Sequence, residues 1–292
     1  MPLRCKTITA LAILASLAIT PAWAQDNNSA SADEKKQSDG DLTTKATNPV
    51  GALIQLQLQD LYVPSSDNSS GYANTFILQP VIPFPLGDDG YFQNIIARPT
   101  IPIVTTPKVN GNRETGVGDI TWLTAPTHTT LGSKRGEFTT WGPIAAVVLP
   151  TASKRETGAD VWSAGPGAIA VTNLSLANGD SLMLGGLAYH LWGLESEKDD
   201  PDVNRTVLQP VAIYKFRNGW YLRNPDDTWS YDWENDEWTQ IPLGVYAGRV
   251  LNIGKQPVNV FAGGWYNPVS SDRGATADYA FKLSFSFLFP AN

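Results

Sequence analysis

The chain has 292 residues, of which 42% are hydrophobic, 10% aromatic and only 17% charged, and its formal net charge is −7. The aromatic content argues against disorder, the 25 glycines and 21 prolines argue against a helical bundle, and the negative charge argues against a nucleic-acid partner. A mean hydropathy of −0.18 is too low for membrane helices, yet the charged fraction is below the roughly one quarter typical of a soluble domain.

Residues 1–24 have the pattern of a cleaved secretory signal. Arg4 and Lys6 precede an apolar run of about a dozen residues, and Ala22-Trp23-Ala24 supplies small residues at a cleavage site. The run is too short to span a bilayer. Cleavage would remove Cys5, the single cysteine, together with two positive charges, so the net charge would change from −7 to −9.

The chain after the signal divides into a short lead-in and one large domain. Residues 25–48 contain almost no apolar side chain, so they are predicted to be a flexible N-terminal segment. Residues 49–292 read as strands divided by turn signals, and no window shows sustained helical periodicity.

The predicted strands alternate apolar and polar side chains. Residues 279–289 carry a large apolar side chain at every odd position, with Lys282, Ser284 and Ser286 between them, and residues 54–59 alternate Ile or Leu with glutamine. A period of two gives each strand one apolar and one polar face. In a membrane barrel the apolar face contacts lipid and the polar face lines the lumen, whereas in a soluble sandwich the apolar face forms the core.

Strand length and connection length favour the barrel. The predicted strands span 50–62, 72–84, 91–104, 117–128, 137–150, 161–175, 180–192, 205–217, 219–233, 237–250, 256–267 and 277–289. Strands that cross a membrane need roughly 9–11 residues, and single-chain bacterial barrels have an even number of strands. The predicted fold is therefore an all-β, transmembrane, antiparallel up-and-down β-barrel of about 12 strands.

The connections are predicted to alternate between long loops and short turns. Long loops fall near 63–71, 105–116, 151–160, 193–204 and 268–276, and short turns at Asn178-Gly179, Asn218-Gly219 and Asn252-Ile253-Gly254. Long loops on one rim and short turns on the other are typical of outer-membrane barrels. The connection at 234–236 is short where a long one is expected, which we interpret as one tall hairpin that projects beyond the membrane.

Aromatic and acidic residues have a matching distribution. Tryptophan and tyrosine cluster near predicted strand ends, as expected of rings that prefer a membrane boundary: Tyr91, Trp122, Trp141, Trp162, Trp192, Trp220, Tyr221, Trp229, Tyr231, Trp233, Trp238, Trp265 and Tyr266. Acidic residues crowd two predicted outer loops. One carries Glu195, Glu197, Asp199, Asp200 and Asp202, and the other carries or adjoins Asp226, Asp227, Asp232, Glu234, Asp236 and Glu237.

Prolines within the predicted strands run against the barrel interpretation. They occur in residues 78–83 and 98–102, and a proline removes a donor from the strand ladder. We expect these prolines to mark bulges or rims.

Extending the alternation predicts which residues line the lumen. The candidates are Gln55, Gln57, Gln59, Asn94, Arg98, Asp119, Thr121, Gln209, Lys215, Lys282, Ser284 and Ser286. Arg98 or Lys282 is expected to pair with Asp119, since interior charges are generally paired, and contact with a solute is the alternative role.

The sequence offers little chemistry for catalysis or cofactor binding. His128 and His190 are the only histidines, which excludes a His-rich metal site, and His190 lacks a serine two residues on. Gly116-Val117-Gly118-Asp119 lacks the third glycine and helix of a phosphate loop. We therefore predict no enzyme activity, no cofactor and no metal. The acidic loops are interpreted as a solvated rim, with a divalent cation as the alternative ligand.

The carboxyl half resembles a family of Gram-negative outer-membrane barrels known as putative transporters or by the name MetA-pathway of phenol degradation. The likeness lies in Gly116-Val117-Gly118-Asp119, Leu149-Pro150-Thr151, Ser163-Ala164-Gly165-Pro166-Gly167, Leu208-Gln209-Pro210, Asn218-Gly219-Trp220-Tyr221-Leu222, residues 238–244, residues 253–259 and Phe287-Leu288-Phe289-Pro290. The resemblance implies the barrel fold and a location in the outer membrane, and its motifs carry no known chemistry.

Three functions are consistent with these patterns. The first is an outer-membrane channel or transporter for passive passage or uptake of a small solute, with a hydrophobic or aromatic solute suggested by the family name alone. Its partners would be outer-membrane lipid, lipopolysaccharide and the solute. The second is a structural or adhesive barrel whose acidic, aromatic loops bind a surface partner or a divalent cation. The third is a secreted soluble β-sandwich that binds carbohydrate.

Overall fold

A computed structural model describes residues 42–290 except 52, 68, 88–89, 109–110, 195–202 and 270–275. The predicted signal, most of the predicted lead-in and the acidic loop that includes Glu195 lie outside the described residues.

Fifteen strands form the described β structure. They are β1 (Leu53–Ser66), β2 (Ala73–Pro85), β3 (Asn94–Thr105), β4 (Thr115–Val117), β5 (Ile120–Leu131), β6 (Phe138–Leu149), β7 (Ser163–Ser175), β8 (Ser181–Gly193), β9 (Asn204–Lys215), β10 (Trp220–Arg223), β11 (Trp229–Asp232), β12 (Glu237–Gln240), β13 (Leu243–Ile253), β14 (Gln256–Tyr266) and β15 (Ala277–Pro290). A 3₁₀ turn spans Arg155–Thr157 in the loop before β7.

These strands close into an antiparallel barrel with twelve strand positions around its wall, here called staves. Three staves consist of two strands each, namely β4 with β5, β10 with β11, and β12 with β13. This arrangement confirms the predicted fold. Neighbours along the chain pair in turn, and the first strand closes on the last, with Leu53 opposite Pro290 and Tyr62 opposite Phe281. The short β4 pairs with the end of β3 and continues the β3–β5 ladder after a one-residue shift in register. Each of the twelve predicted strands matches one stave, with ends displaced by a few residues.

The alternation of side chains has the predicted direction. In β15, Lys282, Ser284 and Ser286 are at most 4% exposed, whereas Phe281 and Phe285 on the opposite face are 55% and 38% exposed. In β1 the glutamines face inward. In these two strands the polar residues are therefore inside and the apolar residues outside, the reverse of a soluble core.

The two ends of the barrel differ as predicted at three turns. One end, here the short-turn end, carries turns in which Gly179 and Gly219 adopt positive φ angles of 83° and 85°. The third turn is Gly254-Lys255, one residue later than predicted, because Ile253 pairs with Gln256. The opposite end, here the long-loop end, carries the connections 67–72, 106–119, 150–162, 194–203 and 267–276. The connections 86–93 and 132–137 at the short-turn end are, however, at least as long as 67–72 at the long-loop end.

The side chain of Asp180 links two of the short turns. Its carboxylate accepts hydrogen bonds from the Tyr214 hydroxyl at 2.6 Å and from the backbone N–H of Arg217 at 3.0 Å. The Tyr214 hydrogen bond, aided by the Arg217 N–H, holds the pKa of Asp180 below its usual value. The β7–β8 turn is thereby tied to the β9–β10 turn.

The expectation that the prolines mark bulges or rims is wrong for Pro80 and Pro99, which lie within a regular part of the ladder. It holds for Pro102, because the register of β3 with its next neighbour shifts by one residue between the Thr100–Thr121 and Ile103–Val117 pairs. Pro80 lies opposite Pro99, two residues along the ladder from the Leu78–Ile101 pair. The register of β2 with β3 is the same on both sides of the proline pair. Pro126 and Pro143 face each other in the same way between β5 and β6. Each pair thus brings together two prolines, neither of which has a backbone N–H to donate. The missing hydrogen bonds are confined to this pair, and no carbonyl on a third strand loses its partner.

The ninth and tenth staves are each interrupted. β10 and β11 both pair with β9, and residues 224–228 between them leave the ladder. The predicted tall hairpin is present beyond the interruption, with Tyr231 opposite Trp238. The interruption itself was not predicted.

Most of the residues predicted for the aromatic belt are exposed on the outer face of the barrel. Tyr91, Trp162, Trp192 and Tyr266 are between 44% and 60% exposed on the outer face. Tyr221 and Trp265 are exceptions, with 0% and 4% exposure, because the alternation turns them into the lumen. For these two residues the predicted position in the belt was wrong.

The end of the predicted lead-in is ordered inside the barrel. Residues 42–47 form a short helix, and Ala46, Asn48 and Val50 are at most 6% exposed. Interpreting residues 25–48 as flexible was therefore wrong for residues 42–48. Among the described residues, no helix is long and apolar enough to cross a bilayer.

Candidate functional site

The lumen has one polar wall and one apolar wall. The polar wall is contributed mainly by β1 and β15, together with Gln79 of β2 and Gln209 of β9, and the apolar wall by β3 and β5–β9. The buried residues of the apolar wall include Ile96, Leu123, Ala125, Ile144, Ala146, Val148, Ile169, Val171, Leu187, Tyr189 and Leu191. An amphipathic molecule could therefore contact both walls at once.

A hydrogen-bonded row of amides runs along the polar wall. Gln59 donates from Nε2 to Gln57 at 3.0 Å, and Gln57 donates to Gln55 at 3.1 Å. Gln79 on β2 donates to the Thr100 hydroxyl at 2.6 Å and accepts from Gln59 at 3.3 Å. The row holds these side chains in fixed positions across three strands.

The interrupted ninth stave brings two carboxylates into the lumen. Lys282 Nζ lies 3.0 Å from Asp226 Oδ1 and 2.8 Å from Asp227 Oδ1, and Arg223 Nη2 lies 3.5 Å from Asp226 Oδ2. The Tyr246 hydroxyl donates to Asp227 at 2.5 Å. The prediction that Asp226 and Asp227 belong to an outer acidic loop was wrong, because residues 224–228 fold inward to reach these cations.

Arg98 reaches the same level of the lumen from β3. Its Nη1 and Nη2 atoms each lie 3.3 Å from Gln209 Oε1, and its Nε is buried with no hydrogen-bond partner. Gln209 in turn donates to the backbone carbonyl of Asp226 at 2.5 Å. The chain Arg98–Gln209–Asp226 crosses the lumen and narrows it.

This crossing separates cavities at the two ends. The larger cavity, here the outer cavity, has a volume of about 230 Å³ and lies toward the long-loop end between Arg98, Tyr189, Gln240 and Lys282. Two smaller cavities of about 40 and 20 Å³ lie toward the short-turn end.

Residues 42–50, here the N-terminal plug, occupy the short-turn side of the lumen. Val50 packs into the cluster of apolar-wall side chains, and Ala46 packs with Leu53 and Leu288. The plug lines both small cavities through residues such as Pro49. It therefore obstructs the lumen below the Arg98 crossing.

Most of the predicted lumen residues lie where the alternation places them. Gln55, Gln57, Gln59, Arg98, Thr121, Gln209, Lys282 and Ser286 border the cavities, and Ser284 is fully buried in the same row of β15. Asn94 lies at the short-turn end of β3, where its carbonyl accepts from Thr127. Lys215 is 3% exposed at the same end of the barrel and donates to Asn173 at 2.5 Å.

Asp119 has a different role from the one predicted. Its carboxylate accepts from the backbone N–H groups of Thr151, Ala152, Ala159 and Asp160, at distances between 2.6 and 3.2 Å. It therefore organises the loop before β7 instead of pairing with Arg98 or Lys282. Four converging N–H groups satisfy this carboxylate without a cation.

The other residues predicted for the acidic loop with Asp226 and Asp227 lie at the tip of the β11–β12 hairpin. Asp232 accepts from the backbone N–H of Glu234, and the Tyr231 hydroxyl donates to Asp236. Glu237 opposes Asp232 in the ladder. Within the described ranges, no group of three or more His, Cys, Asp or Glu side chains is arranged to hold a metal ion.

Neither histidine lies beside a nucleophile and an acid. His128 stacks on Tyr91 with ring centroids 4.4 Å apart, at the outer surface. His190 contacts the Thr206 hydroxyl at 2.9 Å and Asn204 Oδ1 at 3.0 Å.

Several lumen residues were missed by the sequence analysis. Gln79, Thr100 and Tyr189 follow the same alternation as the predicted set, so extending it to every strand would have found them. Arg223 follows the same alternation from Tyr221, whereas Asp226 and Asp227 depend on the interruption of the ninth stave. Asn224-Pro225 was the local signal for that interruption.

Comparison with known proteins identifies the architecture. No protein-family model matches the chain, and no curated protein matches it. The chain is similar to the COG4313 outer membrane channel from Pseudomonas putida F1, with a TM-score of 0.57 and 16% identity over 83% of this chain and 97% of that chain. The transport unit of the autotransporter AIDA-I from Escherichia coli has a TM-score of 0.44 and 10% identity over 89% of this chain and 97% of that chain. The first similarity supports the closed barrel fold.

Proposed function

We propose that the protein is an outer-membrane channel that gives a small solute passive passage or uptake. The observation that supports this proposal most directly is a closed barrel that exposes apolar side chains on its outside and encloses a partly polar cavity of about 230 Å³. The secretory signal predicted at residues 1–24 and the exposed aromatic residues of the outer face further support this location.

The similarity to a solved outer membrane channel agrees with this proposal through the fold. We also propose membership of the Gram-negative barrel family that the carboxyl-half motifs resemble. Outer-membrane lipid and lipopolysaccharide are the proposed partners of the outer surface. A channel needs neither a catalytic group nor a cofactor, and we propose neither for this chain.

The adhesive alternative loses part of its support. It required a concentrated acidic loop at the rim, and Asp226 and Asp227 are instead paired with Lys282 inside the barrel. Their charges cannot attract a partner at the surface.

Conductance measurements test the proposal directly. The folded, signal-cleaved protein in planar bilayers should give small single-channel currents, because the Arg98 crossing and the plug narrow the lumen. Thr100→Trp adds an indole to the outer cavity and should reduce the current further. Bilayers that remain tight, or a current that Thr100→Trp leaves unchanged, would show that ions do not pass through this lumen.

A further inference from the structure

The side chain of Arg98 borders all three of the cavities described above. Arg98 lines the outer cavity and both cavities on the plug side. Its two terminal nitrogens share one amide oxygen of Gln209, and its buried Nε has no partner. A guanidinium can donate five hydrogen bonds in a planar fork, so Arg98 has donors to spare.

No carboxylate of the described residues lies within ion-pair distance of Arg98. Asp226 and Asp227, the nearest acids in the lumen, are already engaged by Lys282 and Arg223. Three cations, Arg98, Arg223 and Lys282, thus face two carboxylates, which leaves one positive charge. An unbalanced charge in a protein interior is costly, so its retention points to an anion that completes the pair.

Apolar surface lies directly beside this unpaired cation. Leu123 lines the outer cavity with Arg98, and so does the ring of Tyr189. Ile96 and Leu187 continue the apolar surface on the plug side of Arg98. Gln59 and Gln79, on β1 and β2, and Thr100, next to Arg98 on β3, offer polar contacts in the same cavity.

The dimensions of the outer cavity restrict the ligand. Pockets for drug-sized molecules measure roughly 300–1,000 Å³. The outer cavity, at about 230 Å³, is smaller. A compact molecule with one anionic group and one apolar face fits this volume and this pattern of walls.

We propose that Arg98 binds the carboxylate of a small amphipathic monoanion, whose ring or short chain lies against Leu123 and Tyr189 in the outer cavity. This inference rests on the proposed function, since it names the class of solute that the channel would admit. The planar fork of Arg98 matches a carboxylate, and charge-assisted hydrogen bonds of this kind are stronger than neutral ones.

Binding of radiolabelled benzoate to the folded, detergent-solubilised barrel tests the inference by equilibrium dialysis. Benzoate has the required carboxylate and ring, benzamide has the same shape without the charge, and benzylammonium has the opposite charge. Unlabelled benzoate should compete, whereas benzamide should need an about tenfold or higher concentration, since loss of a charge-assisted pair is worth about a factor of ten. Benzylammonium should not compete.

Variants locate the site. Arg98→Gln should weaken benzoate binding by about tenfold or more, and Arg98→Lys should weaken it less, because a point charge remains without the planar fork. Arg217→Gln removes the same charge from the exposed short-turn end and should bind benzoate like the unmodified protein. The heat-dependent gel shift of a folded barrel verifies each variant, and the analogue series on the unmodified protein tests the charge preference independently of any variant.

The outcomes separate this inference from the proposed function. Equal binding by a folded Arg98→Gln variant, or equal competition by benzylammonium, overturns the Arg98 site while leaving the conductance result standing. Arg98-dependent benzoate binding by a barrel that passes no current supports the site and overturns its role in transport.

Discussion

Lys282 holds an irregular part of the chain inside the barrel. Its ammonium group contacts both Asp226 and Asp227, and all three side chains are at most 11% exposed. Asn224 begins the irregular segment, and its side chain accepts from the Ala212 N–H at 2.7 Å and donates to the Pro210 carbonyl at 2.9 Å. The Asn224 amide thus satisfies the Ala212 N–H and the Pro210 carbonyl at the point where the chain leaves the ladder.

We expect Lys282→Met to lower the free energy of unfolding by about 3 kcal/mol, because removing one partner leaves buried carboxylates uncompensated. Urea unfolding of the refolded barrel, followed by its gel shift, measures the change. Lys255→Met, at an exposed short turn, is the matched control.

Adding Asp226→Asn and Asp227→Asn to Lys282→Met should restore part of the lost stability, since neutral amides are less costly to bury. A Lys282→Met protein as stable as the Lys255→Met protein would mean that the carboxylates do not depend on Lys282.

At the residue scale, sequence reasoning reached Lys282 and Arg98 but not their surroundings. Both follow from the alternation, which depends only on strand periodicity. The partners of Lys282 come from a segment that leaves the strand ladder, so the alternation of inward and outward side chains gives no information on them. The predicted pairing of Asp119 with a cation was wrong for a related reason, since its partners are backbone N–H groups of a loop distant in sequence.

At the scale of strands, the paired prolines and a neighbouring glycine set how closely β5 and β6 approach. A Cβ atom on Gly142 would lie 1.9 Å from the carbonyl oxygen of Pro126. Only glycine permits this approach without movement of the backbone.

Gly142→Ala should therefore destabilise the barrel by about 1–3 kcal/mol, because the added methyl group forces the two strands apart. The urea midpoint of refolded protein measures the effect. Gly90→Ala adds the same methyl group where the nearest atom, the carbonyl oxygen of Phe92, is 3.4 Å away, and it should be close to neutral. Equal midpoints for the two variants would show that the β5–β6 contact yields without cost.

Strand number and order were predictable because each strand carries its own alternation and the turns carry glycine signals. The break in the ninth stave was not predicted, although Asn224-Pro225 gives a local turn signal for it, because the flanking residues of β10 and β11 read as strand. The inward path of the segment depends on the contacts of Asn224 with the adjacent β9 and on the contact of Asp226 with Lys282, which is distant in sequence.

At the scale of the whole molecule, the N-terminal plug limits passage at the short-turn end. Composition alone predicted flexibility, because residues 25–48 are polar and could not form a core by themselves. The barrel supplies the apolar surface that the segment lacks. Thr47 and Asn48 are buried beside polar lumen residues such as Gln55, so their polarity suits this interior.

Deleting residues 25–50 after the signal should raise the single-channel conductance severalfold, because the short-turn side of the lumen loses its occupant. A deletion of residues 25–41, which keeps the N-terminal plug, should leave the conductance close to that of the unmodified protein. Planar-bilayer recordings of both proteins make the comparison. Equal conductance of the two deletions would place the resistance at the Arg98 crossing alone.

The contact of Ala46 with Leu53 and Leu288 bears on how the barrel is made. Leu53 begins the first strand and Leu288 is near the end of the last, and these two strands meet along the seam that closes the cylinder. The surface that receives Ala46 therefore comes into existence only when the seam forms, and docking of the segment in turn fastens the seam. Closure of the seam and docking of the N-terminal plug therefore stabilise each other, so a barrel whose seam is open lacks the complete surface on which Ala46 packs.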